Sequence, residues 1–201
     1  MESSGDKGSL LTVIYSGSFD PIHNGHVALA RYVASIPYVQ EVWLVPSRRN
    51  PFKPDTTAPD DVRLEMAHLA TAQTESVRVS DVEMHLPSPS YTISTLRHLH
   101  ALYPDRKFRL LIGADNWREF PLWREYRRLL SDYPPLIYPR PGYPIDKEHL
   151  PDKVVYLDKA PQLPVSSTEV REHVGKGMPI DGLVPKEVQE FIKSHNLYME
   201  K

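Results

Sequence analysis

Three separated segments carry side chains suited to holding phosphate. The first is Gly17-Ser18-Phe19-Asp20-Pro21-Ile22-His23-Asn24-Gly25-His26. An apolar strand through Val13-Ile14-Tyr15 leads into it, and a helix is predicted to begin near Asn24 or Gly25. A strand-turn-helix junction leaves main-chain N–H groups unpaired and adds the positive end of a helix dipole, which together attract anions. His23 and His26, three residues apart at the helix start, can project their imidazoles to one side of the turn. The second segment, Ser47 through Lys53 and Pro54, is a basic loop stiffened by prolines, leaving an apolar run at Glu41–Pro46. The third, Val165 to Arg171, places Ser166, Ser167 and Thr168 at a helix start with Arg171 one turn in. A capping pattern with Glu169 explains those hydroxyls; it does not explain the arginine.

Each segment also has a plainer reading, as a solvated loop or an ordinary helix cap. Their occurrence together, each at a turn beside a predicted sheet, points to a polyphosphate. A zinc shared by His23 and His26, with Asp20 as third ligand, is the weaker alternative. The remaining histidines, such as His68, His98, His100 and His195, lie among polar residues on predicted helices and read as surface. Neither G-x-x-x-x-G-K-[ST] nor G-x-G-x-x-G occurs, so P-loop and hydride-transfer chemistry have no support.

The elements that must position these groups alternate. After the first strand and helix come a strand at Glu41–Pro46, a helix over Asp60–Ala72 and an alternating strand at Val77–Val82. A helix to Leu102 follows, capped by Ser90 or Thr92, then a strand at Lys107–Gly113 ending in Gly113-Ala114-Asp115-Asn116. A glycine followed by small polar residues at a strand end suits close backbone approach to a ligand, although Asp115 as a helix N-cap is equally compatible. A helix over Arg124–Ser131, short strands at Pro135–Pro139 and Lys153–Leu157, and two closing helices complete the chain. This rhythm predicts an α/β fold with a doubly wound parallel sheet and flanking helices. The proline-rich stretch from Pro134 to Pro164 reads as a loop-rich insertion between elements.

Composition bounds the rest. The 201 residues predict one domain, 1–201, with a flexible tail over 1–9 that lacks the apolar core of a signal peptide or anchor. A net charge of −2 argues against a general nucleic-acid or membrane-surface binder. The absence of cysteine excludes disulfides and thiol chemistry and is compatible with a cytoplasmic location. No run is apolar for the length a bilayer crossing needs.

The segment Gly17 to His26 resembles the G-x-F-D-P-x-H-x-G-H signature of nucleotidyltransferases that share a Rossmann-like fold with class I aminoacyl-tRNA synthetases. Val165 to Arg171 resembles their I-S-S-T-x-x-R signature. The loop ending in Lys53, Ser90-Tyr91-Thr92, the stretch from Gly113 through Asp115 to Trp123, Leu183-Val184-Pro185 and Leu197-Tyr198 extend the likeness to the bacterial nicotinate-nucleotide adenylyltransferases over nearly the whole chain. Ser16, Phe52 and Ser94 depart from that pattern, standing where relatives often carry glycine, histidine and aspartate.

The resemblance implies transfer of AMP from ATP to nicotinate mononucleotide, releasing pyrophosphate, with Mg²⁺ accompanying ATP and no resident metal. It implies catalytic roles for His23, His26, Lys53 and Arg171. ATP contacts are implied at Gly17, Ser18, Phe19, His23, His26, Gly113, Asp115, Ser167, Thr168 and Arg171. Thr92, Trp123 and Arg124 are implied at the nicotinate nucleotide. Alternatives are the same chemistry on nicotinamide mononucleotide, phosphopantetheine or a CTP-dependent sugar phosphate, or a non-catalytic nucleotide sensor. A homo-oligomer is compatible with all of these.

Overall fold

Among the residues described by the computed structural model, 10–48 and 58–199, six strands form one sheet. They are β1 (Leu10–Gly17), β2 (Glu41–Pro46), β3 (Val77–Val79), β4 (Arg106–Gly113), β5 (Leu136–Tyr138) and β6 (Val155–Tyr156). Every pairing is parallel, in the order β3-β2-β1-β4-β5-β6, with Val13 opposite Val42 on one side and Arg109 on the other. The expected doubly wound sheet is therefore present. The order reverses between β1 and β4, and the carboxyl ends of those two strands open the crevice where such sheets bind ligands.

Seven α-helices join the described strands: α1 (Asn24–Ala34), α2 (Asp60–Thr71), α3 (Thr92–Leu102), α4 (Ala114–Glu119), α5 (Tyr126–Asp132), α6 (Ser167–Gly175) and α7 (Lys186–Ser194). Strand periodicity sends Val13, Tyr15, Val42, Leu44 and Leu111 to one face, where Val27, Met66, Val170 and Val188 of α1, α2, α6 and α7 cover them. Ile14, Trp43, Val45, Leu110 and Ile112 face the other way, against Leu96 and Leu99 of α3 and Leu129 of α5. All six residues of β2 are buried, as a central parallel strand with helices on both faces requires. Among the described residues no helix is long and apolar enough to cross a membrane.

Two local expectations change. The third strand stops at Val79, because residues Val82–His85 turn into a 3₁₀ helix that buries Glu83. Neither Ser90 nor Thr92 caps α3. Tyr91 occupies the N-cap position without a side-chain bond, and the Ser90 hydroxyl donates instead to Glu83. The short strands expected at Pro135–Pro139 and Lys153–Leu157 are present as β5 and β6 at the edge of the sheet, and the proline-rich stretch that begins at Pro134 sends Arg140 back toward the carboxyl ends of the strands.

Candidate active site

A cleft of about 1030 Å³ lies at the strand carboxyl ends, large enough for two nucleotides side by side. Its centre is the turn from β1 into α1. His23 is the N-cap of α1, and its Nδ1 accepts the His26 main-chain N–H at 3.4 Å while His26 Nδ1 accepts the His23 main-chain N–H at 3.3 Å. This is a capping box made of two histidines, long in both bonds but reciprocal. Its consequence is chemical: with Nδ1 accepting, a neutral ring carries its proton on Nε2 and becomes a donor there. The two rings stack with centroids 3.6 Å apart. Gly25 permits this, since a Cβ there would meet the His23 ring at 3.0 Å.

Burial, and secondarily the Arg140 charge, pull His23 down to about 4, so it is neutral near pH 7. His23 is 6% exposed. A buried neutral imidazole donates a hydrogen bond without carrying an unpaired charge.

The turn is braced from three directions. Arg63, fully buried, donates to the Ser18 carbonyl at 2.6 Å, to the Ala58 carbonyl and to Asp60. Arg171 donates to the Asp20 carbonyl at 2.6 Å and Ser167 Oγ to the Pro21 carbonyl at 2.9 Å, fastening the start of α6 to the turn. Tyr198 donates its hydroxyl to the Asp20 carboxylate at 2.6 Å. The amino end of α6 is itself a capping box between Ser166 and Glu169, as the hydroxyl pattern predicts. The first turns of α1 and α6 thus border one cleft, but at α1 the Asn24 and His26 amides are taken by the Leu183 carbonyl and by His23, whereas at α6 the Ser166 cap takes the Glu169 amide and helix geometry leaves those of Ser167 and Thr168 without intrahelical acceptors.

The structure brings Gly17, Ser18, Phe19, His23, His26, Gly113, Ser167, Thr168 and Arg171 together around this cleft, with Thr92, Trp123 and Arg124 at its other side. Lys53 lies outside the described residues. Three side chains are used differently from the expectation. The Phe19 ring is buried edge-on against Tyr15 and His26, so it props His26. The Ser167 hydroxyl proton is committed to Pro21, which leaves that residue's main-chain N–H to face a ligand. Asp115 packs its carboxylate against Gly113 and 3.7 Å from Arg140, and among the described residues Asn116, rather than Asp115, lines the cleft there. A Cβ on Gly113 would fall 2.2 Å from that carboxylate oxygen.

On the far side, Thr92 is the first residue of α3, and the Arg124 guanidinium lies 4.8 Å above the Tyr91 ring. Glu125, the adjacent carboxylate, is held by both terminal nitrogens of Arg97 at 3.0 and 2.7 Å. Among the described residues the buried side-chain polar atoms that lack a hydrogen-bond partner are Ser47 Oγ, Asp115 Oδ1 and Trp123 Nε1. Ser47 and Trp123 line the cleft and Asp115 borders it, so the unmet hydrogen bonds collect where a polar ligand would sit. The described residues form no group of three His, Asp or Glu side chains able to hold a metal ion.

Sequence reasoning missed Arg140, Arg63, Glu83 and the Tyr198 clasp. Arg140 stacks over Tyr138 at 5.1 Å and adds a cation at the carboxyl end of the sheet. Its signal was a basic residue two positions after the short apolar run Leu136–Tyr138, hidden in the stretch read as insertion. Arg63 gave no signal, because an arginine on an amphipathic helix reads as surface.

Residues 14–173 match the cytidylyltransferase-like family model. A Bacteroides thetaiotaomicron protein named probable nicotinate-nucleotide adenylyltransferase is 41% identical over 191 residues, 94% of each chain. A Porphyromonas gingivalis protein of the same name is 41% identical, covering 92% of this chain and 95% of its own. The fold is similar to that of the Plasmodium falciparum nicotinic acid mononucleotide adenylyltransferase complexed with NaAD, with a TM-score of 0.77 at 23% identity over 94% of this chain and 97% of that one.

Proposed function

The chain belongs to the cytidylyltransferase-like nucleotidyltransferases and, within them, to the nicotinate-nucleotide adenylyltransferases, and from that membership we propose how its cleft works. It transfers AMP from ATP to nicotinate mononucleotide, giving deamido-NAD and pyrophosphate. The observation that carries the division of labour is the meeting of two helix N-termini, α1 and α6, fastened together through Ser167 to Pro21 and Arg171 to Asp20. A polyphosphate chain spanning both meets the His23 and His26 rings and the dipole of α1 at one end, and main-chain N–H groups of α6 at the other.

A phosphate oxygen of nicotinate mononucleotide attacks the α-phosphorus of ATP, and the bond from that phosphorus to the bridging oxygen of pyrophosphate breaks. The attacking monoester has a second pKa of about 6 and is already largely a dianion near neutral pH, so no general base is required. The protein's task is to align two anions and neutralise the charge that builds on the phosphates. His23 and His26 donate through Nε2 to the α- and β-phosphate region, preorganised by their mutual cap. Arg171, Arg140 and Lys53 supply positive charge, and the amides of Ser167 and Thr168 take the outer phosphates. Gly17, Ser18 and Gly113 allow the nucleotide close to the main chain, and Asp115 with Asn116 borders the adenosine.

Mg²⁺ enters with ATP. Bound with the nucleotide, it would withdraw negative charge from the triphosphate. On the acceptor side Trp123 faces the pyridine ring, while Thr92, the amides at the start of α3 and the Arg124 guanidinium favour its carboxylate. Nicotinamide, lacking that negative charge, leaves these donors underused.

The test is pyrophosphate release across a panel of nicotinate mononucleotide, nicotinamide mononucleotide and phosphopantetheine, each with ATP or CTP. The expected pair is ATP with nicotinate mononucleotide, and His26→Ala lowers kcat by about 10²- to 10³-fold. Preference for another acceptor, or a full rate in folded His26→Ala, would overturn the reading.

A further inference from the structure

Glu83 is 4% exposed, carries a carboxylate, and lies on the 3₁₀ helix Val82–His85 at the acceptor side of the cleft. Two hydroxyl donors from around the start of α3 converge on it. Ser90 Oγ donates at 2.8 Å and Thr95 Oγ1 at 3.0 Å, one to each carboxylate oxygen, and the main-chain N–H dipole of Arg48 also favours the ionised carboxylate. Arg48 is the last described residue before position 58 on the exit from β2, and its guanidinium donates to the Leu86 carbonyl at 3.3 Å. Ser90 and Thr95 flank Tyr91 and Thr92, so the carboxylate fixes the start of α3 from both sides. One buried side chain thereby joins the root of the basic loop to the wall that carries Thr92 and, through Tyr91, the Arg124 guanidinium.

We propose that Glu83 is a positioning residue for the acceptor half of the site, setting how the nicotinate nucleotide is held while leaving ATP binding untouched. This rests on the adenylyl-transfer reading above. The separation is one of direct contacts: the groups facing ATP phosphate are braced by Arg63, Ser167, Arg171 and Tyr198, none of which hydrogen-bonds to Glu83, and Arg63 reaches it only through its charge and through Asp60, 3.8 Å from Arg48. Burial raises the Glu83 carboxyl above its ordinary range, and the hydroxyl and amide donors oppose that shift. A carboxylate suits the position because it accepts on both oxygens. Glutamine has one accepting oxygen and one donating nitrogen. Ser90 and Thr95 can rotate their hydroxyls to accept from it, whereas the Arg48 main-chain N–H can only donate.

The experiment measures KM separately for ATP and nicotinate mononucleotide in the full chain, with Glu83→Gln, Thr95→Val and the double variant. Thr95 lies behind the cleft, 2% exposed, and its hydroxyl meets Glu83 at 3.0 Å and the Tyr91 carbonyl only at 3.4 Å, so its substitution acts chiefly through Glu83. In Glu83→Gln the nicotinate mononucleotide KM is expected to rise about tenfold, the scale of one unmet buried hydrogen bond, with the ATP KM changing by less than about twofold. Thr95→Val moves the same constant by a smaller factor, and the double variant is no worse than Glu83→Gln alone. Equal shifts in both KM values, or multiplying effects in the double variant, would overturn the proposal. If Glu83→Gln does not fold, Thr95→Val carries the test by the same split between substrates. No turnover by the unsubstituted protein would overturn the adenylyl-transfer reading itself, and turnover with unsplit constants overturns only the role of Glu83.

Discussion

Replacing Arg140 with alanine removes the cation that sequence reasoning overlooked, and the structure bounds the effect. A hydrogen bond to a charged group is worth about 1.5–3 kcal/mol, or about 10- to 150-fold in kcat/KM. The Arg140 side chain is 42% exposed, and Asp115, 3.7 Å away, already takes part of its charge. Both features place the loss at the lower end, about 10- to 30-fold by the same scale. The assay is steady-state pyrophosphate release, with Arg140→Lys as a partner that keeps the charge but not the planar fork and recovers part of the rate. A second readout does not depend on activity. The Arg140 charge is the lesser cause of the low His23 value, so in Arg140→Ala the His23 ring titrates above about 4 but still below 6.5, because burial remains. Proton NMR of the imidazole follows this directly. A rate within about twofold of the unsubstituted protein, or an unmoved His23 titration in a folded variant, would refute the placement of this cation over the phosphates.

Two further outcomes follow from the geometry. Arg124→Leu is expected to narrow the preference for nicotinate over nicotinamide mononucleotide by about two- to fivefold, the scale of an exposed ion pair, with the nicotinamide constants unchanged; equal loss on both acceptors would remove the guanidinium from the carboxylate's environment. His23 also makes stability depend on pH. Its folded value of about 4 lies below the ordinary 6.5, so between those values the unfolded chain binds a proton that the fold refuses. Stability therefore falls as pH drops through that window, by about 3 kcal/mol in all from this group, and is fully retained above pH 6.5. Urea midpoints from pH 4 to 7 measure it against His23→Asn, in which this part of the slope disappears; parallel slopes would refute it.

The sequence by itself determined the sheet and the phosphate end of the site. Apolar runs at Val13, Val42 and Leu110 alternate with helical periodicities, and local signals such as the Ser166 to Glu169 cap sit within four residues of one another. His23, Gly25 and His26 were legible for the same reason, since their geometry is set within one turn of helix. Tertiary structure alone decided which side chains brace the site. Arg63 reaches the Ser18 carbonyl across 45 positions, Ser167 reaches Pro21 across 146 and Tyr198 reaches Asp20 across 178. No local pattern records such pairings. They exist because a parallel sheet in the order β3-β2-β1-β4-β5-β6 brings the carboxyl ends of distant strands to one edge, where Arg140 arrives from a stretch that reads as loop. The same closure spends the Ser167 hydroxyl and the Phe19 ring on support, so the residues recognisable as belonging to the site and the atoms left to face the ligand are different sets.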